Sequence, residues 1–152
     1  MDAFGIDMQL ILGWIALIFP GTLLLGQIIS SISFPLAQQL GLQENPDKTD
    51  PLLQRAERYT AYWDLLTLVW MPIAGLLMII NHPLWPMMAL IGGAIYFDTA
   101  GREAAKILSF KHGGIEVGSS KQHRLFFATY IVMAILGVIV VIYSFGKLYH
   151  EI

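Results

Sequence analysis

The chain has 152 residues, of which 56% are hydrophobic and 13% are charged, and its net charge at pH 7 is -2. Soluble domains carry roughly 25% charged residues, so this composition excludes an ordinary soluble fold. The lack of cysteine excludes disulfides, thiolate nucleophiles and cysteine-ligated metals, and the net charge gives no sign of a nucleic-acid surface. We expect one integral membrane domain over 1–152, and the sequence indicates neither a metal site nor a particular cofactor.

The first apolar segment lies between Asp7 and Glu44, which enclose a stretch without any charged side chain. Residues 8–31 are sufficient for one membrane crossing, which requires about 20 residues. The acidic N-terminus lacks the basic residues with which a signal peptide begins, so we expect this helix to remain in the mature protein. A proline within it, Pro20, should kink it.

The middle of the chain reads as a hairpin of two helices. Residues 65–97 contain no Asp, Glu, Lys or Arg, but Asn81-His82-Pro83 interrupts them with a sequence typical of a tight turn. We therefore predict membrane spans at about 61–80 and 84–103. Pro72 should kink the first of the two.

Two longer connections and a final span complete the chain. Loops are predicted at about 32–60 and 104–124, and both are rich in turn-forming residues. The last span covers 125–145 and is bracketed by Arg124 and Lys147. The predicted fold class is an all-α bundle of four transmembrane helices.

The distribution of basic residues predicts the orientation. The two longer loops and the adjoining helix ends carry eight of the nine, which are Lys48, Arg55, Arg58, Arg102, Lys106, Lys111, Lys121 and Arg124. Because positive residues are retained in the cytoplasm, both termini should face outward. Tyr59, Tyr62 and Trp63 then fall at the inner membrane boundary, where aromatic residues are enriched. We expect a multi-pass protein of a plasma membrane or a bacterial inner membrane.

The two uncharged helices of the hairpin are shorter than the hydrocarbon core is thick, which predicts the depth of two carboxylates. At 1.5 Å per residue, the uncharged helices of about 24 Å and 21 Å are shorter than the hydrocarbon core of about 30 Å. Asp64 and Asp98 should therefore lie inside the inner hydrocarbon boundary at similar depth. Ionisable groups at such depth are candidates for function.

Helical spacing indicates which residues share a face. The second span has a polar stripe of Glu57, Thr60, Asp64, Thr67 and Met71. The third span has a stripe of Ala94, Asp98, Gly101, Arg102 and Ala105, and the first has one of Gly13, Pro20, Gln27 and Ser31. We expect the three stripes to face one interior and form a polar track open to the cytoplasm, with His123 and Arg124 at its mouth.

Two interpretations of these polar residues stay open. Asp98 and Arg102 are four residues apart and can form a structural ion pair, and Asp64 can be a simple helix-end residue. Alternatively they line a binding or proton-handling site, in which Asp64 is the better proton carrier, since a neighbouring Arg lowers the pKa of a carboxylate. The candidate ligand-binding residues are Gln27, Arg55, Arg58, Asp64, Thr67, Asp98 and Arg102.

The layout resembles that of the MAPEG family, small four-span enzymes that act on glutathione and lipophilic substrates. Arg55-Ala56-Glu57-Arg58 is similar to the Arg-rich start of that family's second span. Where the family continues with Asn and Glu, this chain has Tyr62 and Leu65. The resemblance implies a small intramembrane enzyme, in which Arg55, Arg58, Asp64 and Arg102 would hold a polar cosubstrate on the cytoplasmic side.

Three classes of function follow. The first is a non-catalytic protein in the lipid bilayer that binds a lipid, a partner membrane subunit or further copies of itself through small-residue helix faces. The second is the MAPEG-like enzyme. The third is an oligomeric transporter or channel, which would require a charged residue near the bilayer centre, and Gln27 is the only approximation to one.

Overall fold

The computed structural model describes the backbone of residues 7–151 and the side chains of residues 7–149. This part of the chain is helical, with one 3-10 turn at Pro46–Lys48 and no β-strand among the described residues. The helices are α1 (Met8–Ile32), α2 (Phe34–Gln39), α3 (Pro51–Thr67), α4 (Trp70–Ile79), α5 (Trp85–His112) and α6 (Ser120–Glu151).

Three stretches of the described chain are long and apolar enough to cross a membrane, namely Met8–Ile32, Pro51–Ile79 and Ser120–Tyr149. Large apolar side chains such as Ile18, Leu25 and Ile142 are more than half exposed on these helices. An exposed apolar surface of this extent is typical of a surface that faces lipid. The prediction of an all-helical chain is therefore confirmed for the described residues, and the three apolar helices indicate a multi-pass membrane protein.

Helix ends follow local sequence signals. The Asp50 side chain accepts a hydrogen bond from the Leu52 backbone N–H at 2.7 Å, which starts α3 at Pro51. The second long helix of the hairpin, α5, runs to His112 and ends in a turn with Gly114 at φ +74°. Both helices extend well beyond the predicted spans, so the predicted loops at 32–60 and 104–124 are partly helical.

The two prolines inside predicted spans differ in effect. The helical path through α3 and α4 is interrupted at 68–69, because Pro72 has no N–H to donate to the Leu68 carbonyl. The helix α1 continues without interruption past Pro20. The hairpin turn itself places Asn81 at φ +50°, a conformation that Asn tolerates better than most residues.

Glycines set the closest contacts between helices. A Cβ atom on Gly75 of α4 would lie 2.6 Å from the backbone N of Leu17 on α1. A Cβ atom on Gly93 of α5 would lie 2.8 Å from the carbonyl oxygen of Gly137 on α6. The helix α5 therefore packs between α4 and α6, while α1 packs on α3 and α4.

The connections divide the molecule into two ends. At the loop end, the Asp50 N–H donates to the Glu116 carbonyl at 2.9 Å, and the Gln122 side chain donates to the Gln43 carbonyl at 3.2 Å. At the turn end, the Gln9 side chain donates to Asn81 Oδ1 at 3.0 Å. Both long connections thus lie at one end of the bundle, opposite the beginning of α1 and the hairpin turn.

The helix contact at Gly75 gives a first prediction. Gly75→Ala should lower the free energy of unfolding by about 1–3 kcal/mol, because the new methyl group meets backbone atoms of α1 that cannot move independently. Gly101→Ala is the control: no atom lies within 4 Å of its added Cβ, so it should be neutral or stabilise α5 by up to about 1 kcal/mol. Unfolding of both variants in one detergent checks this, and equal stabilities would contradict the packing.

Candidate functional site

A cavity of about 260 Å³ lies at the loop end, between the helix pair α1 and α3 and the helix pair α5 and α6. Its lining residues on α3 and α5 are buried or half-buried. The exposed lining residues include Thr22 on α1, Leu42 after α2, and Leu125 on α6. The cavity therefore opens between α1 and α6. Its apolar wall includes Leu23, Leu68, Phe126 and Met133.

Four carboxylates line the cavity, and we call Glu44, Glu57, Asp64 and Glu103 the acidic cluster. Glu57 and Asp64 lie on the inward face of α3 with Thr60, which agrees with the predicted stripe. Glu103 comes from α5, and Glu44 from the connection between α2 and α3. Asp64, Glu44 and Glu103 are only 3%, 5% and 6% exposed. Burial of this much negative charge is costly unless cations or hydrogen-bond donors accompany it.

One lysine neutralises part of the acidic cluster. Lys106 Nζ lies 2.9 Å from Glu57 Oε1 and 2.5 Å from Glu103 Oε2, and it donates to Thr60 Oγ1 at 3.5 Å. Burial alone would lower the pKa of Lys106, but the carboxylates of Glu57 and Glu103 raise it above its ordinary value. The side chain therefore stays an ammonium ion and joins α3 to α5.

Glu44 joins the two long connections of the loop end. Its carboxylate occupies the space beside Gly118 that a side chain would otherwise fill, and Gly118 has φ +107°, a conformation that favours glycine. The ring of His123 places Nε2 3.7 Å from Glu44 Oε1, while this nitrogen donates to the Val117 carbonyl at 2.7 Å. Burial raises the pKa of Glu44 above 4.5, and His123 and the nearby backbone N–H of Ser119 oppose this effect.

Several oxygens of the cavity have no hydrogen-bond partner of good geometry within the described protein. They are Asp64 Oδ1, both carboxylate oxygens of Glu44, and Gln27 Oε1. A buried acceptor without a donor costs about 1–3 kcal/mol, and more when it is charged. A ligand that brings hydrogen-bond donors would therefore be stabilised here. No group of three or more His, Asp or Glu side chains among the described residues is arranged to hold a metal ion.

Some of the predicted site residues meet at the cavity and some do not. Asp64 and Gln27 line it. Thr67, on the same face of the α3–α4 segment, is half-buried, and its hydroxyl donates to the Trp63 carbonyl at 3.2 Å. Arg55 and Arg58 are exposed on α3 and are not among the cavity residues.

The predicted facing of α5 is wrong. Its stripe of Ala94, Asp98, Gly101, Arg102 and Ala105 is exposed throughout. The opposite face is buried because Gly92 and Gly93 permit close approach of α4 and α6, and that face carries Glu103 inward. Arg102 donates to Thr99 Oγ1 at 3.5 Å, and no ion pair joins it to Asp98 within the described structure.

Sequence reasoning also missed three groups of the site. Glu103 and Lys106 are not among the predicted site residues, although Tyr96, Ala100, Glu103 and Ile107 follow helical spacing and form the buried face of α5. That pattern was a usable signal. Glu44 lies in an irregular segment without periodicity. Its burial depends on contacts made in the folded structure, such as the one with Gly118.

Comparisons of the chain with protein-family models, with curated proteins and with solved structures find no match.

The burial of Glu44 gives a pH prediction. A carboxyl group whose pKa is higher in the folded state binds its proton more tightly there, so stability should fall as the pH rises from 4.5 through the raised pKa. Glu44→Gln should remove this slope and make the protein more stable than wild type at the upper end of that range. Glu116→Gln, which changes an exposed carboxylate of the same region, is the control. Unfolding measured across this pH range tests the prediction, and an unchanged slope in Glu44→Gln would contradict it.

Proposed function

We propose that the chain crosses the membrane four times and binds an amphiphilic ligand of the lipid class in the loop-end cavity. The support for a fourth crossing is the antiparallel contact of α5 with α6. Trp85 stacks on Tyr143 with ring centroids 5.7 Å apart near one end of the pair, and Ile107 and Phe127 belong to the same hydrophobic cluster near the other. A helix packed along the length of a membrane-crossing neighbour must pass through the same depth.

The proposed orientation puts the loop end in the cytoplasm and both termini outside. It rests on the eight basic residues that lie in or beside the connections of the loop end, since positive residues are retained on the cytoplasmic side. We place the chain in a plasma membrane or a bacterial inner membrane, each of which has a cytoplasmic side.

The observation that carries the proposed function is the buried Asp64 Oδ1 atom, which has no hydrogen-bond donor within the described protein and lines a cavity that opens between two apolar helices. Tyr59, Tyr62 and Trp63 are exposed on the outer side of α3 beside Asp64. Aromatic residues of this kind mark the depth of lipid headgroups. A ligand with its polar head at this depth could contact Asp64 while its apolar part follows Leu23 and Phe126 toward the bilayer.

The placement of the arginines favours binding of a ligand over the MAPEG-like enzyme hypothesis. Arg55, Arg58 and Arg102 are exposed and outside the cavity, whereas an anionic cosubstrate such as glutathione would require cations at its binding site. The cavity instead has four carboxylates.

Assembly with another subunit is a second candidate function. The exposed stripe on α5 combines Ala94, Gly101 and Ala105 with Asp98 and Arg102. Small residues permit close approach of a further helix, and a polar pair in such a contact could bond across it. A second copy of the chain or a different membrane subunit would fit this face.

A pair of glycine variants tests the cavity as a lipid site. Gly26→Leu should fill the cavity, because Gly26 lines it and only Leu42 lies within 4 Å of an added Cβ. Gly21→Leu adds the same side chain on the same helix, outside the cavity and in open space. Native mass spectrometry after mild extraction should show an amphiphile bound to wild type and to Gly21→Leu, reduced at least about tenfold in Gly26→Leu.

The same spectra report the oligomeric state and any partner subunit. An amphiphile retained equally by all three proteins would contradict binding in this cavity, and a bare wild-type chain would contradict the proposed function.

A further inference from the structure

We infer that the cavity selects ligands whose polar head is a protonated amine, attached to an apolar chain. This inference rests on the proposed function and narrows its ligand class. The acidic cluster, the ammonium of Lys106 and the unpartnered Asp64 oxygen carry it.

Charge balance is the first step. Around the cavity stand four carboxylates, while Lys106 is the lysine in contact with them and the half-buried His123 approaches Glu44 alone. Lys106 is committed to Glu57 and Glu103. Among the described residues, Arg102 and Lys106 act on Asp64 only from beyond ion-pair distance, and Asp64 Oδ1 receives no hydrogen bond. A buried carboxylate is stabilised when a cation with donor hydrogens reaches it. A cationic head would supply both the charge and the donors.

The geometry around Lys106 shows that a primary ammonium fits this environment. Its three N–H groups have three acceptors, two carboxylates and the hydroxyl of Thr60, supplied by α3 and α5. On the cavity side, Asp64 and Thr99 face the interior from the same two helices. A second ammonium group could therefore bind between α3 and α5, with one carboxylate and one hydroxyl as acceptors.

The walls explain why the amine should carry an apolar chain. Leu23 on α1 and Leu125, Phe126 and Met133 on α6 line the route from the acidic cluster to the opening. Leu125 is 60% exposed beside that opening, on a helix apolar enough to cross the membrane. An amine head with a chain several methylene groups long would bury its chain against these residues, and its affinity should rise about fourfold with each buried methylene. A short soluble amine would lack this contribution.

Three probes with one chain length and different heads test the inference on the full-length protein in detergent. They are dodecylammonium, dodecanol and dodecanoate, with butylammonium as the short amine. Binding is followed by titration calorimetry and by native mass spectrometry. Wild type should bind dodecylammonium at least about tenfold more tightly than dodecanol, and dodecanoate most weakly. A much weaker affinity for butylammonium identifies a membrane amphiphile, rather than a soluble amine, as the source of the ligand.

Asp64→Asn should remove most of the preference for dodecylammonium over dodecanol, while leaving the affinity for dodecanol within about twofold. Asp98→Asn removes one carboxylate from the exposed face of α5 and should leave the preference intact. Should Asp64→Asn fail to fold, the wild-type head-group series still decides the question.

The possible outcomes separate this inference from the proposed function. Equal affinity for dodecylammonium and dodecanol, or tighter binding of dodecanoate, would overturn the amine selectivity while an amphiphile site remains. Butylammonium that binds as tightly as dodecylammonium would overturn the apolar part of the inference. If none of the probes binds, the amphiphile site itself fails.

Discussion

The balance between the buried acidic cluster and the single ammonium of Lys106 is the constraint on which the rest of the structure depends. Lys106 holds Glu57 on α3 beside Glu103 on α5, and thereby joins two helices that are not in extended contact at this end. Glu44 adds a contact between the two long connections above the cavity. The carboxylates that Lys106 does not neutralise line the cavity between the helix pair α1 and α3 and the helix pair α5 and α6. The contacts that close the loop end therefore also make the cavity acidic.

The separation of the helix pairs follows from where the small residues lie. Glycines bring α4 against α1 and α5 against α4 and α6 in the half of the bundle nearer the hairpin turn. Toward the loop end, the facing positions carry the larger side chains of Glu57, Asp64, Glu103 and Tyr130, which line the cavity. The interruption of the helical path before Pro72 lies between the tightly packed half of the bundle and the half that contains the cavity. A tight half and an open half in one bundle leave a polar cavity at the loop end.

Much of this architecture was predictable from the sequence. Apolar length and the Asn81-His82-Pro83 turn predicted the long helices, and the spacing of Glu57, Thr60 and Asp64 predicted one inward face. The inward face of α5 could not be predicted in the same way, because two faces of that helix contain small residues. One carries Gly92 and Gly93, and the other carries Gly101 together with Asp98 and Arg102. Close approach at Gly92 and Gly93 decides between them. The burial of Glu44 depends on a contact between segments distant in the chain, which periodicity does not report.

The most direct test of a negatively charged cavity uses the absence of cysteine from the chain. Thr129→Cys would place a thiol in the cavity, and Ser120→Cys would place one at the exposed start of α6. Each is treated with positively and negatively charged methanethiosulfonate reagents of similar size, and the ratio of the two rates is compared between the sites. We predict a ratio favouring the cationic reagent at least about tenfold more at position 129 than at position 120. An equal ratio, or one favouring the anionic reagent at position 129, would contradict it.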